Sequence, residues 1–185
     1  MSTATDQENS GAPGELELVR RFVNSFDAET GIEELETPTA LGGWLEDHGL
    51  PGGNPTRREL ERAIAMRESL RELMLANNGE TLPADAYERI NDALAGAALG
   101  VRFDRHGGAE LVPVGAGVDA ALARIAAIGR EAMLAGEWSR LKVCPADECL
   151  WAFYDKSRNR SRSWCRMSEC GNRSKVRAFR ARNAG

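Results

Sequence analysis

Histidine is nearly absent from this sequence, with two in 185 residues, and aromatic side chains reach only 6%. His48 falls near the end of an apolar segment, where it reads as a structural group. His106 falls in a polar turn with no second ligand nearby, where it reads as exposed and inert. The chain has no Walker lysine motif, no Gly-x-Gly-x-x-Gly after a strand, no Gly-x-Ser-x-Gly elbow and no His-Glu-x-x-His. With those catalytic signatures missing, it is expected not to be an enzyme. Glu33, Glu34 and Glu36 form a carboxylate cluster in a turn, expected to be solvated. No apolar run approaches the roughly 20 residues that cross a membrane. The first residues, MSTATDQENSGAPGELE, lack the basic-then-apolar order of a secretory signal. These absences point to a cytoplasmic protein in a reducing compartment, without a membrane partner.

Cysteine is scarce as well, but its four copies are concentrated. Cys144/Cys149 and Cys165/Cys170 form two pairs, each with four residues between its members and fifteen between the pairs. Paired thiols separated by a hairpin-length insert suit a tetrahedral four-cysteine zinc site, in which each pair forms a knuckle. Two disulfides would use the same residues but do not suit a reducing cytosol. The expectation is therefore one Zn²⁺ held by Cys144, Cys149, Cys165 and Cys170. With four protein ligands and no open position for water, its role is structural. Within the insert, Leu150 to Tyr154 reads as a strand, Lys156 to Arg160 as a turn and Ser161 to Trp164 as the returning strand. Helix formers follow Gly171-Asn172, with Val176 and Phe179 spaced to share a face. Knuckle, hairpin, knuckle, helix is a treble-clef-like order.

Charge is divided along the chain. From Ser139 onward there are twelve Lys and Arg against four Asp and Glu, or +8, while the remainder carries twelve against twenty-four, or −12; together they give the net −4. A basic head on an acidic body is the electrostatic footprint of a module that meets a polyanion. Arg158, Arg160 and Arg162 alternate along the turn and return strand and are expected to project to one side. Arg173, Arg177 and Arg180 are spaced to line one helix face. With Arg166 and Lys175 they make up the expected nucleic-acid-binding set. Trp151, Phe153, Tyr154 and Trp164 read as the core of a tiny module, with base stacking as the alternative.

The rest reads as an α-rich body. Residues 1–14 are polar and expected to be disordered. Glu15 to Phe26 has the period of an amphipathic helix, with Leu18, Val19, Phe22, Val23 and Phe26 inward. Thr37-Pro38 starts a second helix, stopped at Gly49. Thr56 to Asn78 is a long third helix with a Thr56/Glu59 capping box, and Arg67 falls within its apolar stripe, there to meet a buried acceptor or a ligand anion. Pro83 to Ala95 forms another helix. Leu99 to Phe103 and Leu111 to Val114 alternate as a β-hairpin. Asp119 opens a last body helix whose Leu122, Ile125, Ile128 and Met133 face inward. The fold class is mainly α with a small β-hairpin (α+β), body 15–138 and finger 139–185. No Pro/Gly linker separates the two, so they are expected to stay in contact.

Arg140-Leu141-Lys142-Val143-Cys144, Phe153-Tyr154-Asp155, Ser157 to Arg162, Trp164-Cys165 and above all Cys170-Gly171-Asn172-Arg173 resemble the CGNR zinc finger. In bacteria that finger usually ends proteins whose amino-terminal part is the ABATE domain. Phe22-Val23-Asn24-Ser25 and Trp44-Leu45 to His48-Gly49-Leu50 resemble that domain. The resemblance implies a DNA-binding transcription regulator, with the finger on DNA and the acidic body sensing a small-molecule or protein signal or forming a homodimer. A zinc-stapled protein-interaction or RNA-binding module is the alternative. Gly171 reads as permitting the turn into the helix and Asn172 as its cap.

Overall fold

The computed structural model describes residues 11–183, without the side chains of Ala178 and residues 181–183. The first ten residues of the stretch expected to be disordered, and the Arg182 side chain, lie outside the described residues. Pairwise packing of α1 (Leu16–Val23), α2 (Pro38–Asp47), α3 (Arg57–Ala76), α4 (Ala86–Ala93) and α5 (Gly117–Leu134) makes the body. Its core is mainly aliphatic, with Val19, Leu41, Leu45, Met66, Met74, Leu122 and Ile125 buried around Phe22 and Trp44.

Local signals set the helix ends. The Thr37 hydroxyl accepts from Ala40 N–H at 3.1 Å ahead of Pro38, and Gly49 leaves α2 at φ 73°. Thr56 accepts from Glu59 N–H while the Glu59 carboxylate takes Thr56 N–H, so the capping box is complete. Thr56→Ala removes one half of it and is expected to cost about 1 kcal/mol in urea denaturation.

Tertiary partners decide the remainder. α1 ends at Val23, so Phe26 is not helical: it lies in β1 (Phe26–Asp27), which pairs antiparallel with β2 (Ile32–Glu33). That small hairpin carries Glu33 to Arg67, whose guanidinium is buried and donates twice to the carboxylate, at 2.6 and 2.8 Å. The acceptor of Arg67 is thus a protein carboxylate. Of the carboxylate cluster, Glu34 and Glu36 are exposed as expected, Glu34 also accepting from Trp44 Nε1 at 2.8 Å, whereas Glu33 is half-buried, and it accepts from Leu35 N–H as well. The expected hairpin is β3 (Ala98–Phe103) against β4 (Ala109–Val114). Met133 departs from expectation: it is 50% exposed, and in the last turn of α5 it is the neighbouring Ala132 that reaches the core.

The finger opens with a short 3₁₀ turn, Trp138–Arg140, then β5 (Leu141–Val143) and β6 (Ala152–Tyr154), paired antiparallel with Leu141 opposite Tyr154. This corrects the expected pairing of residues 150–154 with 161–164. The strand that pairs with β6 precedes the first cysteine, and Ser161 to Trp164 forms no strand. Alternation along the two strands then divides their side chains. Leu141, Val143, Ala152 and Tyr154 enter the body core, whereas Phe153 joins the four cysteines in a second one.

Candidate metal centre and cationic surface

The β5–β6 hairpin turns through the first knuckle, and α6 (Asn172–Asn183) starts at the second, after a π-helical turn over Met167–Gly171. This places the Sγ atoms of Cys144, Cys149, Cys165 and Cys170 within 4.8 Å of one another, all buried. Cys149 and Cys165 sulfurs are 3.4 Å apart and those of Cys165 and Cys170 3.7 Å. Tetrahedral zinc with bonds of about 2.3 Å has sulfur–sulfur edges of about 3.8 Å. The cluster fits that ion and is far too open for disulfides, whose sulfurs bond at about 2.05 Å. Hydrogen bonds among the sulfurs push the Cys144 thiol down and the Cys149 and Cys165 thiols up. The four cysteines form one zinc-binding site.

Gly171 is not needed for a left-handed turn, since its φ is not positive, and it sits close beneath the flexible Met167 side chain. A Cβ there would run into Met167 Sδ and approach Trp164 Cδ1 at 3.3 Å. Asn172 donates to Ser168 O at 2.9 Å, tying the π-helical turn to α6. Arg173 reaches back to Cys170 Sγ at 3.4 Å, a cation beside the thiolate-rich centre.

A buried ion pair shapes the basic loop. Lys142 points away from the body core, and its Nζ donates to Asp155 Oδ2 at 2.9 Å and to the Arg160 and Arg162 carbonyls at 2.7 and 3.0 Å. Asp155 is fully buried and also accepts from Ser157 and Arg162 N–H. Burial alone would raise its carboxyl, but hydrogen bonds from Ser157 and Lys142 hold it below the usual carboxylate range.

The finger is clasped by the body through three asparagines to which the sequence assigned no role. Asn24 pairs with both backbone groups of Ala152, at 2.8 and 2.9 Å, as a further strand would. Asn77 donates to Trp138 O and Leu141 O, and Asn78 to Val143 O and Ser163 O. Arg71 holds Leu150 O at 2.7 Å, fixing a residue at φ 47°. Asn24 and Asn77 are the C-caps of α1 and α3.

The eight expected cationic residues divide. Arg158, Arg160, Lys175 and Arg180 are exposed, and among the described residues no acid pairs with them. Arg177 is exposed but bound to Glu148 at 3.0 Å. Arg166 is half-buried on Glu169, and Arg173 is half-buried on Glu29. Arg162 does not line up with Arg158 and Arg160. With no return strand to alternate along, it folds inward over the Phe153 ring, 5.0 Å to the centroid, and donates to Trp164 O and Cys165 O. Phe153 and Tyr154 are buried and Trp151 and Trp164 half-buried, as core. Val176 and Phe179 are exposed on α6. His48 stacks on Trp44 and its Nδ1 lies 2.7 Å from Trp44 O, a structural placement.

No helix among the described residues is long and apolar enough to cross a membrane. No curated protein matches the chain. Family models do match: residues 140–183 fit the CGNR zinc finger and residues 16–137 fit ABATE, described as "Putative stress-induced transcription regulator". Matched over both parts and in that order, the chain belongs to the ABATE family and ends in a CGNR zinc finger.

Proposed function

We propose that this chain is a DNA-binding transcription regulator in which the zinc-stapled finger meets the phosphate backbone and the acidic body senses a signal or pairs with a second copy. The observation that carries this reading is that four exposed cations have no acidic partner among the described residues: Arg158 and Arg160 in the loop between the two knuckles, and Lys175 and Arg180 on the helix that starts at the second. Guanidinium and ammonium groups held in this way suit phosphate oxygens, and docking them releases counterions. Burial of Phe153 and Tyr154 removes two of the four aromatic rings that a stacking RNA-binding mode would use, leaving only the half-buried Trp151 and Trp164. Zinc supplies a cross-link that fixes the knuckles; Lys142 and Asp155 fix the basic loop.

Binding of a fluorescent duplex across a salt series tests the reading. Affinity is expected to fall steeply with salt, and Arg158→Ala/Arg160→Ala to reduce the log–log slope by about 2, one unit for each phosphate no longer neutralised. A duplex that binds with no salt dependence, or a single strand preferred over duplex, contradicts it.

A further inference from the structure

The β3–β4 ribbon exposes apolar side chains along β3, most of all toward its tip. Phe103 is 75% exposed, Val101 61% and Leu99 39%. They alternate with Gly100 and Arg102, so all three lie on one face of the ribbon. Two-stranded ribbons are marginal alone and gain stability from a third strand or a packed face. MSTATDQENS and Ala184-Gly185, which lie outside the described residues, hold no apolar segment that could cover them.

The backbone is equally suggestive. Asp104 N–H donates to Gly108 O at 2.9 Å, continuing the ladder of the tip. The register pairs Arg102 with Glu110, Gly100 with Val112 and Leu99 with Pro113. Hydrogen-bonded and non-hydrogen-bonded pairs alternate in an antiparallel ladder, and proline cannot donate. The even-numbered residues of β3 therefore bond to β4, while Leu99, Val101 and Phe103 point their N–H and C=O groups to the outer edge. Among the described residues the sheet has two strands, so that edge is unpaired. On the other side β4 is blunted by Pro113, and it is β4 that makes most of the ribbon's contact with α5.

We propose that the outer edge of β3 is a homodimerisation strand, along which two copies pair antiparallel about a two-fold axis at Val101. This deepens the pairing role given to the body above, and its failure would leave DNA binding by the finger untouched. The register is self-complementary. Val101 meets its own copy and Leu99 meets Phe103 of the other chain, so every outward N–H finds an outward C=O. Aliphatic and aromatic side chains then face one another across the new strand pair. On the opposite face Arg102 lies against Gly100 of the other copy, which leaves room for it. Its charge is already matched by Glu110, at 2.6 Å on its own chain. No like charges are brought opposite each other, and a four-stranded sheet results.

The test is sedimentation velocity of the zinc-loaded full-length protein from about 1 µM to about 200 µM, since mass action reveals weak dimers only across such a range. A concentration-dependent dimer is expected. Val101→Lys and Val101→Glu each place like charges opposite one another and are expected to be monomeric, whereas their equimolar mixture recovers the dimer. Amide exchange gives an independent readout. Leu99, Val101 and Phe103 amides are expected to be protected at high concentration and to exchange freely when dilute, while Gly100 and Arg102 stay protected in both. A wild type that is monomeric throughout with those three amides unprotected overturns the proposal and leaves the edge to a strand of another protein. A dimer that survives Val101→Lys, or a mixture that stays monomeric, overturns it too.

Discussion

Stripping the metal with a chelator, or replacing Cys144→Ser, is expected to unfold the finger while the helical body persists with lowered stability. Structural zinc sites of this type contribute on the order of 10 kcal/mol of binding free energy at neutral pH, which is folding free energy for the segment that supplies the ligands. Besides the sulfurs, the finger's own core consists of Phe153 with Trp151 and Trp164 at its margin, too little to hold residues 144–172 together. The body loses part of its core because Leu141, Val143, Ala152 and Tyr154 belong to it. Near-UV circular dichroism and amide exchange check this. The tryptophan signal and the protection of β5 and β6 are expected to fall on chelation, with α3 and α5 remaining protected. Unchanged protection in β5 and β6 without zinc would contradict the account.

Asp155→Ala is expected to destabilise the protein by about 3–5 kcal/mol, the usual cost of leaving a buried charge without its partner. Lys142 is 5% exposed and has no other acid within reach among the described residues. The Ser157 and Arg162 amides lose their acceptor at the same time. Because the pair shapes residues 156–162, duplex binding is expected to weaken although Asp155 touches no ligand and the variant keeps its zinc. Denaturant unfolding gives the stability, and metal content with anisotropy gives the rest. A variant of wild-type stability would show that the pair is not the determinant of the loop.

Signals confined to a few neighbouring residues are legible in the sequence. Cys144/Cys149 and Cys165/Cys170, the Thr56/Glu59 box and the Thr37-Pro38 start all depend on short spacings, and each forms as read. What is not legible depends on distant partners. Lys142 sits between Leu141 and Val143 as a surface lysine would, and its burial is explained only by Asp155 and the Arg160 and Arg162 carbonyls, 13 to 20 residues away. The same alternation hides β5, so local pattern points to the wrong partner for β6. Glu33 reads as solvated because its partner Arg67 lies 34 residues away. Arg162 has the spacing of an outward residue, yet the Cys165 and Trp164 carbonyls draw it in. Periodicity likewise overstates burial at Met133, since it reports which residues share a face and not whether anything covers that face.

The most direct measurement is duplex binding by zinc-loaded full-length protein beside the Cys144→Ser/Cys170→Ser variant at low salt. The account expects tight binding by the first that weakens by about one log unit per log salt for each phosphate met, and none by the second. Failure of the zinc-loaded protein to bind duplex at low salt would contradict a metal-organised DNA-binding finger.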